Sequence, residues 1–419
     1  MAEDTLRSPG DAQGTNGLPL SSPLKKAALL LLVIIVLGTL WPNIRNSAGE
    51  GNLYAHLAQA FLDGRLDIRE RLHDVAIHHG RYYVPFPPFP ALVLLPFVAL
   101  GGVVNTRPVM ISLALSVLNA LVLSRTLNRL GSSSRITPWI VAAFLLGTGY
   151  WLCVTVSASV WFFAHVVSVT CLFLAIGECF GKGRGPLVGL FLGAAALSRQ
   201  STVFALPFLA MALWKNQHHA DRKSRVLNQA WFLTCSGLCL GVFLIYNWSR
   251  FGDMFDTGYS YIRFSGFQGE RMARYGLFHP IYVPFNLINL FLQGFHIQFS
   301  PPTYLWPGRI WMDPFGTSLT FASPFVFLSL LAEWRAPLKQ AAWLSIGSTL
   351  IFSLFFCNNG WVQWNAHRFT LDFLPILILL VASGAQRVRE IWWKAAIVYS
   401  IGLNILAIFG IPLLNKIGR

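Results

Sequence analysis

Residues 186–214 read PLVGLFLGAAALSRQSTVFALPFLAMALW, an apolar stretch whose one charge is Arg199. Lys182 and Arg184 precede it, and Lys215, Arg222, Lys223 and Arg225 follow it. Positive charge collects on the cytosolic side of membrane proteins, so both flanks belong to that side and the stretch returns to where it began. At about 1.5 Å per residue each half is about 20 Å long, short of a hydrocarbon core of about 30 Å. Two short helices meeting at Ser198, Arg199 and Gln200 satisfy this. An ionisable group at such depth is costly and by default marks a ligand or a pathway. Arg199 has no acid nearby in sequence to neutralise it, and a phosphate is a suitable counter-charge.

The surrounding chain is of the same character, 54% hydrophobic and 12% charged, with further apolar runs at about 27–42, 88–104, 108–124, 136–153, 161–180, 227–247, 319–333, 341–357, 369–386 and 392–412. A soluble domain is excluded. Backbone groups in lipid must pair within their own segment, and the runs lack the alternation of barrel strands, so the fold class is all-α and polytopic. Residues 1–24, rich in Ser, Gly and Pro without periodicity, read as a disordered cytosolic tail, and 25–419 as one membrane domain. The run after Lys25 and Lys26 has no small-residue cleavage site close behind it and reads as a retained anchor. Counting 88–104 as a full span would place Arg125, Arg129 and Arg135 outside, against the charge rule. With Pro at 88, 90 and 96, it reads instead as a helix in or dipping into the outer interface. About eleven transmembrane helices result, with the N-terminus cytosolic. The outer islands are then 43–107, the turn 154–160, a second large loop 248–318, and 358–368.

The formal charge of +15 does not point to nucleic acid, because it is spread over both faces with no basic run. Six cysteines sit in or beside apolar runs without CxxC spacing, so neither zinc nor a disulfide framework is indicated, and the scattered outer acids offer no other metal site. Every basic side chain of the outer islands is Arg. Its planar fork holds phosphate in a bidentate way that Lys lacks, although an Arg-rich composition gives the same pattern.

Four features of the outer islands are candidates for chemistry. In NLYAHLAQAFLD, Asn52, His56, Gln59 and Asp63 share one helical face while Leu53, Leu57 and Phe61 share another, describing a helix on the membrane surface with its polar side toward a cavity. Glu50 stands between Gly49 and Gly51, which would let the backbone approach a ligand, and a carboxylate there can deprotonate an acceptor hydroxyl. Arg368 and Asp372 stand four apart after Trp361 and Trp364, so one helical turn would pair them. YNWSRFGDMFDTGY carries Arg250, Asp253 and Asp256 and reads first as a capping loop.

Several segments together resemble the GT-C class of integral-membrane glycosyltransferases, specifically bacterial relatives of dolichyl-phosphate-mannose protein mannosyltransferases and of aminoarabinose transferases. They are NLYAHLAQAFLDGRLDI with GRYYVPFPPFPALVLLP, GLFLGAAALSRQSTVFALP, YNWSRFGDMFDTGY and HRFTLDFLPILIL, in the expected order from about residue 27 to 390. The resemblance implies a polyprenyl-phosphate sugar donor and inverting transfer to an acceptor hydroxyl on the outer face of a bacterial inner membrane, with no cofactor and an acceptor that is glycan, lipid or protein. It puts the catalytic base at Glu50; the residues themselves give Arg199 and Arg368, with Arg81 third, as candidates for the phosphate, and His56, Asp63, Tyr82 and Asp372 complete the candidate substrate-binding set. The chain departs from the pattern in having a lone Glu where an Asp-Glu pair is frequent, and no acid in the turn TVSASVW. A phosphate leaving group needs no proton, so one base suffices where sugar hydrolases use two carboxyl groups. The alternative class is a transporter or flippase of a lipid-linked or anionic substrate, since these also place Arg and broken helices at midmembrane depth.

Overall fold

The computed structural model describes residues 49–217, 221–299, 307–358, 360 and 365–410. The tail 1–24, the run 27–42, Trp361 and Trp364 lie outside the described residues. In chain order the first helices are α1 (Leu53–Leu62), α2 (Phe89–Asn105), α3 (Pro108–Arg129), α4 (Thr137–Leu146), α5 (Tyr150–Thr155), α6 (Val160–Cys179), α7 (Gly185–Ala196) and α8 (Leu206–Asn216). There follow α9 (Arg222–Phe251), α10 (Gly266–Tyr275), α11 (Val283–Phe291), α12 (Leu319–Ala322), α13 (Ala336–Phe355), α14 (Leu374–Ala385) and α15 (Glu390–Ile405). Among the described residues five helices are long and apolar enough to cross a membrane, namely α3, α6, α9, α13 and the helix Glu390–Ile408 that contains α15. Shorter apolar helices include α2, α4, α7 and α14. The architecture is all-α and polytopic. Among the described residues the named strands form two antiparallel hairpins, β1 (Ala76–His78) with β2 (Arg81–Tyr83), and β3 (His296–Phe299) with β4 (Pro307–Trp311).

Helix α6 is the axis of the molecule. Phe163, Val166, Val169, Leu172, Phe173 and Ile176 are at most 1% exposed, so it is apolar all round and packed all round. It contacts α3, α7, α8 and the 3-10 turn Arg368–Asp372. Helix α9, outside α7, instead leaves Leu233, Leu238, Leu240, Val242 and Ile245 exposed, the surface that lipid would cover.

The expected break in 186–214 is present. Helix α7 ends at Ala196, Arg199 is extended (φ −144°, ψ 106°), Gln200–Ala205 is a 3-10 turn, and α8 follows. Small polar side chains hold the break: Ser198 Oγ donates to the Ala194 carbonyl (2.8 Å) and Thr202 Oγ1 to that of Arg199 (2.7 Å). One extended residue between two helical segments turns the Arg199 side chain away from both.

Two apolar runs depart from the single helices expected of them. Run 319–333 is α12 followed by a 3-10 segment, Pro324–Leu331. Pro324 has no N–H for a helical bond, and Ser323 Oγ donates across to the Gly147 carbonyl (2.6 Å). Run 136–153 breaks at Gly147 for the complementary reason, because a Cβ there would press on Phe325 and Ser400.

Candidate functional site

The first outer loop is built into the protein more deeply than its amphipathic pattern suggests. Leu53, Tyr54, Ala55, Leu57 and Ala58 of α1 are at most 2% exposed and pack with α2. Gly49 is needed for that packing, since a Cβ would strike the Val103 carbonyl of α2. Its role is therefore helix contact and not ligand approach. None of the four polar-face residues lines the cavity described below. Asn52 caps α1, accepting from Tyr54 N (2.9 Å), and donates to the Ser157 carbonyl (3.3 Å). His56 bonds the Glu50 carbonyl (2.8 Å), and Asp63 pairs with Arg69 (3.0 Å) and Arg65 (3.6 Å). Glu50 itself is exposed.

Beyond α1 the chain forms the β1–β2 hairpin. Its two turn residues, His79 and Gly80, both have positive φ (48° and 75°), which matches the right-handed twist of the strands. Arg81 is exposed beside that turn, and Tyr82 pairs with Ile77 and bridges to Ile68. Ala76 also bridges to Ile262 of the second outer loop. Arg250, 4% exposed at the end of α9, donates to the Val84 carbonyl (2.6 Å) and to Asn247 Oδ1 (2.7 Å). The two outer loops are thus tied together, and Asp253 and Asp256 cap turns by accepting from Phe255 N and Gly258 N.

Between these loops and the helix break lies a cavity of about 760 Å³. Tyr54, Trp161, Arg199, Tyr259, Arg368 and Asp372 are among the residues that line it, with His73 and Asp74. Glu50, His56, Asp63, Arg81 and Tyr82 are not among its lining residues. At its polar end Arg199 donates from Nε (3.2 Å) and Nη2 (2.8 Å) to the two oxygens of Asp372, a residue 173 positions away. Ser201 Oγ donates to the same carboxylate, and His165 Nδ1 stands 3.3 Å from it, off the axis of a good hydrogen bond. Asp372 is 2% exposed, so this fork is a buried, charge-assisted pair.

Asp372 therefore neutralises Arg199, where one helical turn would have paired it with Arg368. Arg368–Asp372 is a 3-10 turn, and at three residues per turn positions four apart point about 120° apart. Arg368 lies over Phe162, 4.4 Å from its centroid, and both guanidinium groups approach Phe369, Arg199 at 4.7 Å and Arg368 at 5.7 Å. From Phe369 aromatic contacts continue to Phe356 (6.3 Å), Phe278 (5.4 Å) and Phe352 (4.9 Å), and from Phe352 to Phe204 (5.7 Å). One wall of the cavity is thus apolar and leads to two cations.

Sequence reasoning missed His165, Ser201, His73, Asp74 and Tyr259. His165 is the one imidazole inside the apolar run 161–180, which is itself a flag. Asp74 and Tyr259 carry no such signal, because they meet only when Ala76 pairs with Ile262. Burial raises the Asp74 carboxyl above the usual range, against the pull of His73 and Trp161. Burial pushes the Tyr259 phenol up to about 12, and it feels the Arg199 guanidinium, which lowers it, and the Cys357 and Asp74 charges, which raise it. The arginine and the acid therefore face a common space.

Fold and cavity together define a class, the multi-span helical membrane protein with an amphipathic pocket that carries paired cations. Two solved structures are similar to it: crystal structures of ArnT from Cupriavidus metallidurans, one bound to undecaprenyl phosphate (14% identity, TM-score 0.48) and one in the apo state (16% identity, TM-score 0.49). Each covers 88% of this chain and 62% of the ArnT chain, so the chain spans less than two thirds of the length of that neighbour. No protein-family model and no curated protein matches this sequence.

Proposed function

We propose that the protein transfers a glycosyl group from a polyprenyl-phosphate-linked donor to an acceptor hydroxyl at the outer face of the membrane, with inversion at the anomeric carbon. The observation that carries this reading is the meeting, at Phe369, of an aromatic wall and two guanidinium groups, one of them paired with Asp372. An isoprenoid chain suits the aromatic wall, and its phosphate suits the cations. Arg199 engages Asp372 through Nε and Nη2, and none of the described residues accepts from its Nη1. Its side chain is 22% exposed where it borders the cavity.

The charge balance favours transfer over mere binding. A donor phosphodiester carries one negative charge, whereas the departing polyprenyl monophosphate carries up to two. Arg199 and Arg368 both border the cavity, so hydrogen bonds from them that strengthen as charge grows on the phosphate stabilise the departing group more than the bound donor. The acceptor must lose its proton, and the family resemblance puts that task at Glu50.

Purified protein in detergent, given radiolabelled polyprenyl-phosphate monosaccharides and membrane extract as acceptor, is expected to move label without any ion gradient. Arg199→Ala and Arg368→Ala are each expected to slow transfer by about 10²-fold or more, the scale of one lost transition-state donor. Vesicles that move the lipid-linked sugar across the bilayer while no label changes carrier would favour the transporter class instead.

A further inference from the structure

We infer that Asp74 is the general base that takes the proton of the acceptor hydroxyl, and that His73 is the route by which this proton reaches solvent. This rests on the transfer reaction proposed above and assigns a residue pair within the same cavity.

Among the described residues two carboxylates line the cavity, Asp74 and Asp372. Both oxygens of Asp372 are engaged by Arg199, and Ser201 adds to one of them, which leaves that group no acceptor capacity directed at a substrate. Asp74 is differently held. Its side chain is 16% exposed, it shares the cavity wall with Trp161, and His73 Nδ1 is 3.0 Å from Oδ1. His73, on the other side of that contact, is 82% exposed and its ring stands edge-on to Trp161 at 6.0 Å. The pair thus joins the cavity to bulk water.

The backbone supports an active role. Asp74 is one of two non-glycine residues among those described with positive φ (62°). Such a conformation is uncommon for a residue with a Cβ and persists where the surroundings over-determine it. Here they do so two residues on, where Ala76 is fully buried between Tyr83 and Ile262. The strand pairing fixes Asp74 in the lining of the cavity that Arg199 and Tyr259 also line. The raised carboxyl described above is consistent with a group suited to accepting a proton.

The step balances as follows. The acceptor oxygen bonds to the anomeric carbon while the bond from that carbon to the phosphate oxygen breaks. The bonding pair leaves with the phosphate, beside Arg199 and Arg368. The hydroxyl proton passes to Asp74 and then to the lone pair of His73 Nδ1 in the ring tautomer that carries its hydrogen on Nε2; the ring releases that Nε2 hydrogen to water and, being exposed, regains the starting tautomer by exchange with solvent.

The test compares Asp74→Asn, Asp74→Glu, His73→Ala and Glu50→Gln in the full-length purified protein, reading label transfer and, separately, binding of polyprenyl phosphate alone. Asp74→Asn is expected to lose at least about 10²-fold in transfer with lipid-phosphate binding retained, and Asp74→Glu to recover part of it. His73→Ala is expected to show a smaller loss that added imidazole restores, a rescue that a packing role would not give. An active Asp74→Asn overturns the assignment, as does a dead Glu50→Gln beside it, which returns the role to Glu50. Loss of lipid-phosphate binding in both Asp74 variants makes the residue structural and overturns it too. A wild type that binds polyprenyl phosphate but moves no sugar removes the transfer reading itself, and the assignment with it.

Discussion

The Asp372 carboxylate carries more of the site than either arginine, because it is the one group that Arg199, Ser201 and His165 all face. Removing one partner of a buried ion pair leaves the other uncompensated, at a cost of about 3–5 kcal/mol. Asp372→Asn is therefore expected to lower the stability of the detergent-solubilised protein by about 3 kcal/mol, whereas Ser201→Ala, which removes one hydrogen bond, costs about 1 kcal/mol. Thermal unfolding of both variants and of the Arg199→Ala/Asp372→Ala double variant checks this. If the pair is coupled, the double variant is less destabilised than the two single losses combined. The partner of Arg199 could not be read from sequence, since 173 residues separate it from Asp372 and the nearer candidate pairing assumed an α-helical turn. At Asp74 the sign of the pH dependence follows from its direction of shift. A base must be deprotonated, and burial raises this carboxyl, so transfer is expected to fall with decreasing pH at a higher pH than an ordinary Asp would give. Asp74→Glu, with a longer and differently seated carboxyl, is expected to move that acid limb.

Elements were legible in proportion to how much of their cause is local. The hairpin at Ser198–Gln200 follows from one charge, two basic flanks and a length too short for two full spans, all within one stretch, and the chain folds that way. Run 319–333 was legible only in part: Pro324 is a local stop signal, but the hydrogen bond from Ser323 that holds the break goes to Gly147, a partner 176 residues away. Glycines show the same limit. Gly185, Gly189 and Gly193 stand four apart on α7, and a Cβ at each would meet α9: the Asn228 carbonyl, the Phe232 carbonyl and the Cys239 side chain in turn. Close approach through small residues is how helices associate in lipid, where no hydrophobic drive separates helix from solvent. Gly237 and Gly241, on α9 itself, would meet nothing. Gly189→Ala is expected to destabilise the protein by about 1–3 kcal/mol through overpacking. Gly241→Ala is expected to be neutral or to add up to about 1 kcal/mol of stability through helix propensity. Equal effects of the two in a thermal melt would mean that α7 and α9 do not pack as described.

The whole molecule is polarised along α6. Trp161 and Ala164, near its first residue, line the cavity. At its other end Arg129 Nη1 donates to the Gly177 carbonyl (3.1 Å), Arg184 forks onto Glu178 (2.8 and 2.9 Å), and Gln217 donates to the Gly183 carbonyl (2.7 Å). Gly185 N bonds Asn228 beside them (2.7 Å), so the ends of α3, α6 and α8 and the starts of α7 and α9 gather there with their Lys and Arg residues. Twenty helical residues separate the two ends of α6, about 30 Å at 1.5 Å per residue, which is the thickness of a hydrocarbon core. The outer-face transfer proposed above requires the basic end to be cytosolic, as the charge rule predicts, and the cavity to open at the outer leaflet. Arg81→Cys, at the exposed hairpin turn beside the cavity, is expected to react with a membrane-impermeant maleimide in right-side-out vesicles. Arg222→Cys, at the exposed start of α9, is expected to react only after permeabilisation. The native cysteines are buried or half-buried, so an unsubstituted control sets the background. The reverse labelling pattern would place the arginine pair on the cytosolic side, where an outer-face transfer cannot occur.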